Sequence, residues 1–185
     1  MRRPILIHPD PRLKKVAEPV PGVDDEVRVL MQDMLETMYA APGIGLAAPQ
    51  IGINARVIVM DCAPREAEPG GPEPAPKPLR LANPEIVWSS DEPVTMEEGC
   101  LSIPDIYADV TRPSAVRVRW LDETGTPQEA DMTGIWAVCV QHEIDHLDGK
   151  LFIDTLGPMR RRMITEKMKK LKRERARTAA DGRED

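Results

Sequence analysis

The sequence predicts an α+β fold, in which antiparallel or mixed sheets pack around a central helix and a further helix lies at the C-terminal end. Two observations carry this prediction. Apolar residues recur at helical spacing near both ends of the chain, whereas runs that alternate apolar and charged residues occupy the middle. There is no strand–helix rhythm of a parallel sheet and no internal repeat. With 185 residues, of which 41% are hydrophobic, we expect a single domain with one sizeable core.

The first predicted element is a helix between residues 23 and 41. Asp24 and Asp25 lie near its N-terminal end, where acidic side chains favour helix formation. Its apolar residues recur at helical spacing and are predicted to be core: Val27, Leu30, Met31, Met34, Leu35 and Met38. Residues 41–50, which follow, contain two glycines and two prolines, so we predict a shaped loop there.

The middle of the chain is predicted to form strands. Residues 56–60 indicate a buried strand, and residues 63–78 carry six prolines, which predicts an exposed and poorly ordered connection. Strand-like runs resume at residues 85–88 and 115–121, the second alternating apolar and arginine residues. A turn at residues 122–125 precedes a possible return strand, which indicates an antiparallel hairpin.

Helical spacing returns from residue 134 to about 147, and again from about 158 to 177. The last segment is basic, because residues 159–185 hold 11 Lys and Arg against 5 Asp and Glu in a chain whose net charge is −6. We expect residues 1–158 to form the body and residues 159–185 a basic C-terminal helix and tail of the same domain. The tail either meets an anionic partner or is a solvated helix face.

The composition favours a reducing compartment, and we expect a cytoplasmic protein. The apolar run after the first two arginines is only three residues long and does not resemble a signal peptide, and no apolar stretch of about 18 residues occurs. The three cysteines, Cys62, Cys100 and Cys139, cannot all pair with one another. We expect neither DNA nor a membrane as a partner.

The strongest chemical signal is the pattern HEIDH at residues 142–146. Residues i and i+4 lie on one face of a helix, so His142 and His146 can bind the same metal ion. Glu143 is adjacent and can reach a water on that ion. Two of the three histidines of the chain fall in this pattern, and the residues before it are apolar, as in a buried helix. We therefore predict a metal site on the central helix.

A catalytic site of this type needs a third protein ligand and an open position. A third histidine of the extended HExxHxxGxxH pattern is absent, because Phe152 stands at that position. Glu166 has a suitable offset but lies among Arg and Lys, where pairing with Lys170 is the simpler interpretation. Cys139 lies one turn before His142 and is better placed in a pocket wall. Cys100 follows a glycine and is the preferred third ligand.

Three segments together resemble the signature motifs of the peptide deformylase family. They are residues 43–50 (GIGLAAPQ), 98–102 (EGCLS) and 141–146 (QHEIDH). Their order and rough spacing agree with the family, and the resemblance extends over nearly the whole chain. The proline-rich connection lies where the family varies in length. The resemblance implies that the body is a deformylase catalytic domain, a hydrolase that removes the formyl group from formylmethionine of nascent polypeptides and releases formate.

The resemblance also implies a role for each site residue. Cys100, His142 and His146 would be metal ligands, Glu143 the acid–base residue, and Gln50 with the Leu101 N–H the donors to the developing oxyanion. The family commonly works with Fe²⁺, which Ni²⁺, Co²⁺ or Zn²⁺ can replace; the ligand types alone do not choose among them.

An apolar slot for the methionine side chain would be formed, by resemblance, by Ile44, Met96, Ile135, Val138, Cys139 and the His142 ring. The backbone of Ile44 and Gly45 would pair with the extended peptide like an added strand. Members of the family are thought to meet the nascent chain at the ribosome through the C-terminal helix. We therefore expect N-formylmethionyl peptides and the ribosome as partners.

Two other interpretations stay open from the residues. One is an HExxH metalloprotease that uses Glu166 as its third ligand. The other is a non-enzymatic domain with a structural zinc, in which Asp145 or Cys62 would complete the ligand set.

Overall fold

The chain is described here by a computed structural model, which covers residues 1–65 and 74–180. Its α-helices are α1 (Asp25–Ala40), α2 (Gly134–Leu147) and α3 (Pro158–Ala180). Its strands are β1 (Gly45–Ala47), β2 (Val57–Met60), β3 (Leu79–Ser89), β4 (Pro93–Cys100), β5 (Ile103–Pro113), β6 (Ala115–Leu121) and β7 (Pro127–Thr133). No helix among these residues is long and apolar enough to cross a membrane.

Helix α1 begins where its sequence predicts. The Asp24 side chain accepts a hydrogen bond from the Val27 N–H at 2.9 Å, which caps one of the free amides of the first turn. Met31, Met34, Leu35 and Met38 are buried on the inner face. The helix ends at Ala40, two residues before Pro42, as expected because proline disfavours a helical residue before it.

The strands form two antiparallel sheets, which confirms the predicted α+β fold. Strands β1, β2, β3, β6 and β7 make a five-stranded sheet in the order β1-β2-β3-β6-β7, and β4 pairs with β5. The predicted hairpin is confirmed, since β6 and β7 pair from Ala115 opposite Thr133 to Leu121 opposite Pro127. Its turn is held by Asp122, whose carboxylate accepts the N–H groups of Thr124 and Thr126.

The sequence did not reveal three features of the sheets. The hairpin of β4 and β5 was not predicted, because apolar residues do not alternate regularly along it and only Ala108 and Val110 give β5 a buried face in its middle. The loop predicted at residues 41–50 contains the short strand β1, and β3 is longer than the predicted run at 85–88. Of the predicted poorly ordered connection at 63–78, residues 66–73 lie outside the described residues.

Helix α2 lies against the five-stranded sheet. Its apolar residues Ala137, Val140, Ile144 and Leu147 are in one buried cluster with side chains of β2, β3 and β6. A second buried cluster joins Phe152 and residues of β5 to α3 through Ile164 and Met168. Met159 and Met163, near the start of α3, are exposed.

The end of α2 depends on a glycine. Gly149 has φ +71°, and a Cβ there would lie 2.6 Å from the Lys14 carbonyl oxygen. Gly134 also has a positive φ, +57°, but a Cβ would meet nothing within 4 Å, and Gly22 has neither constraint. Alanine substitutions at these three glycines therefore separate the cost of backbone strain from the cost of steric overlap.

We predict that Gly149→Ala lowers the free energy of unfolding by about 3 kcal/mol, because left-handed strain and backbone overlap add. Gly134→Ala should cost about 1 kcal/mol from strain alone. Gly22→Ala is the control and should be near neutral, because a Cβ there meets nothing within 4 Å. Urea unfolding measures the free energy of unfolding of all three variants. Equal losses of stability at Gly149 and Gly134 would show that overlap with the Lys14 carbonyl makes no contribution.

Candidate metal centre

The structure brings the three predicted ligands together. Cys100 ends β4, and His142 and His146 lie one turn apart on α2. Their Sγ and ring nitrogen atoms lie within 4.8 Å of one another, and Cys100 Sγ is 3.2 Å from His146 Nε2. Ligands of one tetrahedral ion are about 3.3–3.6 Å apart, given metal–ligand bonds of about 2.0–2.3 Å. The cluster therefore fits a single divalent cation.

A buried ionic network fixes the orientation of His142. Its Nδ1–H donates to Glu98 Oε2 at 2.8 Å, which leaves Nε2 for a metal. Arg112 donates to both oxygens of Glu98, at 2.6 and 3.0 Å, and to Asp145 at 2.8 Å. The side chains of Glu98 and Arg112 are only 5% and 10% exposed. The network thus ties β4, β5 and α2 together behind the ligands.

The sequence analysis missed this network. Glu98 lies inside the EGCLS segment, two residues before the cysteine ligand, and a carboxylate behind a histidine ligand is a common arrangement. That position was the available signal. The sequence gave no such signal for Arg112, because its neighbours in the chain do not indicate which carboxylates it contacts.

The ionic network and burial shift the pKa values of both His142 and His146. Burial lowers the pKa of His142, but its hydrogen bonds with Cys100 and Glu98 outweigh burial and hold that pKa well above its ordinary value. Burial, aided by the neighbouring His142 charge, holds the pKa of His146 well below its ordinary value. Burial would raise the pKa of Glu98, yet its hydrogen bonds from His142 and Arg112 keep it low. Glu98 is therefore a charged acceptor.

Glu143 lies beside the ligands in a dry position. Its carboxyl is buried, and Oε2 has no hydrogen-bond partner among the described residues. Burial raises the pKa of Glu143 to about 7. A buried carboxyl oxygen without a partner indicates that another group, such as a water or a substrate atom, belongs there.

Gln50 approaches the cluster from the segment after β1. Its Oε1 accepts the Ala47 N–H at 2.8 Å, which turns its Nε2 toward Cys100 Sγ at 3.5 Å and Ser102 Oγ at 3.2 Å. Gln50 is 1% exposed. Leu101 follows the cysteine and lines the same cavity. Both residues predicted to face a developing oxyanion are thus next to the cluster.

An open cavity of about 730 Å³ leads to the cluster. It is lined by residues predicted to bind the substrate: Ile44, Gly45, Ile135, Val138, Cys139 and His142. Met96, which was also predicted for the slot, is not among the lining residues and lies on the same face of β4 as Glu98, opposite Val110. Its place in the slot stays a prediction.

Gly45 has no room for a side chain. A Cβ at this position would overlap Glu143 Oε1 and lie 2.9 Å from Cys139 Sγ. The glycine therefore lets the backbone of β1 approach the floor of the cavity.

The residues that the two other interpretations require as metal ligands make other contacts in the structure. Glu166 is exposed on α3 and pairs at 2.8 Å with Lys169, not with Lys170 as predicted; Lys170 lies 3.8 Å from Glu174. An α-helix brings both i+3 and i+4 within reach, so spacing alone did not decide the partner. Asp145 is bound by Arg112, and Cys62 is buried in the core cluster of α2. None of them belongs to the candidate ligand group.

Comparison with known proteins gives a consistent result. The family model described as polypeptide deformylase matches residues 2–162. A peptide deformylase of Phenylobacterium zucineum is 54% identical over 168 residues, covering 91% of this chain and 95% of its own. The crystal structure of peptide deformylase from Ehrlichia chaffeensis has a TM-score of 0.86 at 39% identity, covering 95% and 99% of the two chains.

A further solved structure carries a peptide. The Met-Ala-Ser-bound class I type b peptide deformylase of Acinetobacter baumannii has a TM-score of 0.75 at 34% identity, covering 84% of this chain and 99% of its own.

We predict that Glu98→Gln weakens divalent metal binding about 10- to 100-fold, because the amide no longer gives His142 a charged acceptor. Glu97→Gln is the matched control, since Glu97 is the exposed neighbour on the same strand. Competition of Co²⁺ or Zn²⁺ between each variant and a chelating indicator measures the affinity. Equal affinities of the two variants would show that the Glu98 contact does not support the ligand.

Proposed function

The chain belongs to the polypeptide deformylase family, and we propose that Cys100, His142 and His146 hold the metal of this metal-dependent hydrolase. It removes the N-formyl group from nascent peptides. The observation that carries the residue assignment is the convergence of the three ligand atoms within 4.8 Å, beside a buried carboxyl oxygen of Glu143 that has no partner in the described chain. Formate release from formyl-Met peptides, with metal content measured on the same anaerobic sample, tests it.

We propose Fe²⁺ as the ion in the cell, with Ni²⁺, Co²⁺ or Zn²⁺ able to replace it. One thiolate and two imidazoles suit all four ions. When bound, the metal supplies Lewis-acid chemistry, which polarises a carbonyl and makes a water acidic near neutral pH.

Glu143 is proposed as the acid–base residue. Its buried carboxylate takes a proton from the water that attacks the formyl carbon and then gives that proton to the leaving amine of methionine. Its position next to His142 on α2 and its unpartnered Oε2 support this role. The products are formate and a free N-terminus.

Gln50 and the Leu101 N–H are proposed as donors to the formyl oxygen as negative charge develops on it. The Ala47 N–H fixes the Gln50 amide with its Nε2 pointing to the cluster. A donor that is oriented before the reaction needs no reorganisation, and such a donor contributes roughly 3–4 kcal/mol in other enzymes.

The methionine side chain is proposed to enter the apolar part of the cavity. Ile135, Val138 and Cys139 of α2 form its floor with the His142 ring, and Ile44 flanks it. The backbone at Ile44 and Gly45 would pair with the peptide as an added strand, which recognises main chain and tolerates varied later side chains. The metalloprotease and structural-zinc interpretations are not favoured.

We further propose that residues 1–158 and 159–185 form one domain in the cytoplasm. Ile164 and Met168 of α3 are buried against residues of the body, which supports one folding unit. The cysteines remain as thiols, which suits a reducing compartment.

The exposed face of α3 is proposed to bind the ribosome, whose RNA is a dense anionic surface. Within residues 158–178, Lys172 and Arg173 are exposed and make no ion pair, whereas Lys169 is partly neutralised by Glu166. Exposed Met159 and Met163 add apolar area near the start of the helix. Such binding should weaken as salt rises, because counterions are released on binding.

We predict that Cys100→Ala, His142→Ala and His146→Ala each lose metal and activity together, because two remaining ligands hold a divalent ion poorly. Glu143→Ala should keep the metal and lose turnover by about 10²-fold or more, because proton transfer is removed. Metal content and formate release are measured on the same samples. Cys100→Ala with full metal and full activity would overturn the ligand assignment.

We predict that Lys172→Glu with Arg173→Glu reduces co-sedimentation with ribosomes at low salt, while formate release from short formyl-Met peptides stays normal. Lys15→Glu with Lys77→Glu is the control, because it changes the net charge equally at two exposed lysines outside α3. Ribosome pelleting over a salt series measures binding. Equal ribosome binding by the two double variants would contradict the proposal and indicate that α3 is only a solvated helix face.

A further inference from the structure

Arg65 reaches the Gly43 end of the glycine segment from a different part of the chain. Its Nη2 donates to the carbonyl oxygen of Gly43, and its guanidinium lies 5.6 Å from the centroid of the Tyr39 ring. A guanidinium over an aromatic face at this distance is attracted by the ring. Arg65 lies outside the three family-like motifs, in the connection after β2, and the sequence gave it no role.

Asp61 anchors the base of that connection. Its buried carboxylate accepts the Tyr39 hydroxyl at 2.6 Å, the Ala63 N–H at 3.0 Å and the Lys77 N–H at 3.1 Å. The start and the return of the connection are therefore joined to the end of α1. Burial and the Asp61 hydrogen bond raise the pKa of Tyr39 to about 12, so its hydroxyl stays a donor. The connection that carries Arg65 is therefore fixed at both of its ends by Asp61.

The direction of the β1 backbone defines which groups face the cavity. The Asp61 N–H donates to the Ile44 carbonyl at 2.8 Å, so that carbonyl points toward β2. Peptide groups of successive residues point to opposite edges of a strand. Those of Gly45 and Ala47 in β1 therefore point to the other edge, and Gly45 lines the cavity; Gly43 precedes β1 by two residues.

Two of these three positions already have partners. The Arg65 guanidinium donates to the Gly43 carbonyl, and the Ala47 N–H donates to Gln50 at 2.8 Å. The Gly43 N–H is also used, because it donates to the Met38 carbonyl at 2.9 Å. Gly45 lies between the two occupied positions, so the edge offers its peptide groups to an incoming chain.

We propose that Arg65 is a positioning residue that fixes the Gly43 end of this edge, so that the peptide groups of Gly45 face the substrate. This inference rests on the proposed function.

The test compares Arg65→Ala with Arg65→Lys, using formyl-Met-Ala-Ser and formate release. Arg65→Ala should raise KM about tenfold and leave kcat within about twofold, because loss of a charged donor affects binding of the peptide backbone. Arg65→Lys keeps a cation and one N–H donor, so its KM should return to within about threefold of the parent. A residue that only stabilises the fold would give no such separation and no such rescue.

Arg119→Ala is the matched control, because Arg119 is also exposed and paired but lies on β6. Its KM should equal that of the parent. Because Arg65 is exposed, its replacement should leave folding intact. Arg65→Met keeps an aliphatic stem without the guanidinium and repeats the test if Arg65→Ala does not fold. Unchanged KM, or a fall in kcat alone, would overturn the inference. No formate release by the parent protein would instead overturn the proposed function.

Discussion

The structure depends on the burial of three titratable residues on one helix. Helix α2 carries His142, Glu143 and His146 in a buried position, where uncompensated charge is costly. Glu98 and Arg112 offset that cost, because they give His142 a charged acceptor and tie that acceptor to the two-stranded sheet. The same contacts bring the end of β4, and therefore Cys100, to the face of the helix.

The glycine segment depends on the same helix from the opposite side of the cavity. Gly45 allows the backbone of β1 to approach Glu143 and Cys139, which a side chain would prevent. Gln50 turns its amide toward Cys100 because the Ala47 N–H holds its oxygen. The cavity is thus enclosed by main chain on one side and by the ionic network on the other. This arrangement suits a substrate recognised by its backbone and its first side chain.

The sequence predicted the centre of the molecule well because the relevant patterns are local. The spacing of His142 and His146 places both on one helix face whatever surrounds them. The start of α1 and the β6–β7 hairpin likewise follow from neighbouring residues, namely a capping aspartate and a turn. Cys100 needed the pattern of the three motifs together, since an isolated cysteine indicates little.

Tertiary structure decided what depends on distant partners. Glu98 and His142 are 44 residues apart, and only the packing of β4 on α2 makes them a pair. The sequence by itself therefore determined the helix and the placement of His142 and His146 on one face of it, because residue spacing fixes local geometry. It predicted Cys100 only from the three motifs together. The supporting residues Glu98, Arg112 and Arg65 emerged only from the fold, because side chains far apart in sequence acquire partners through packing.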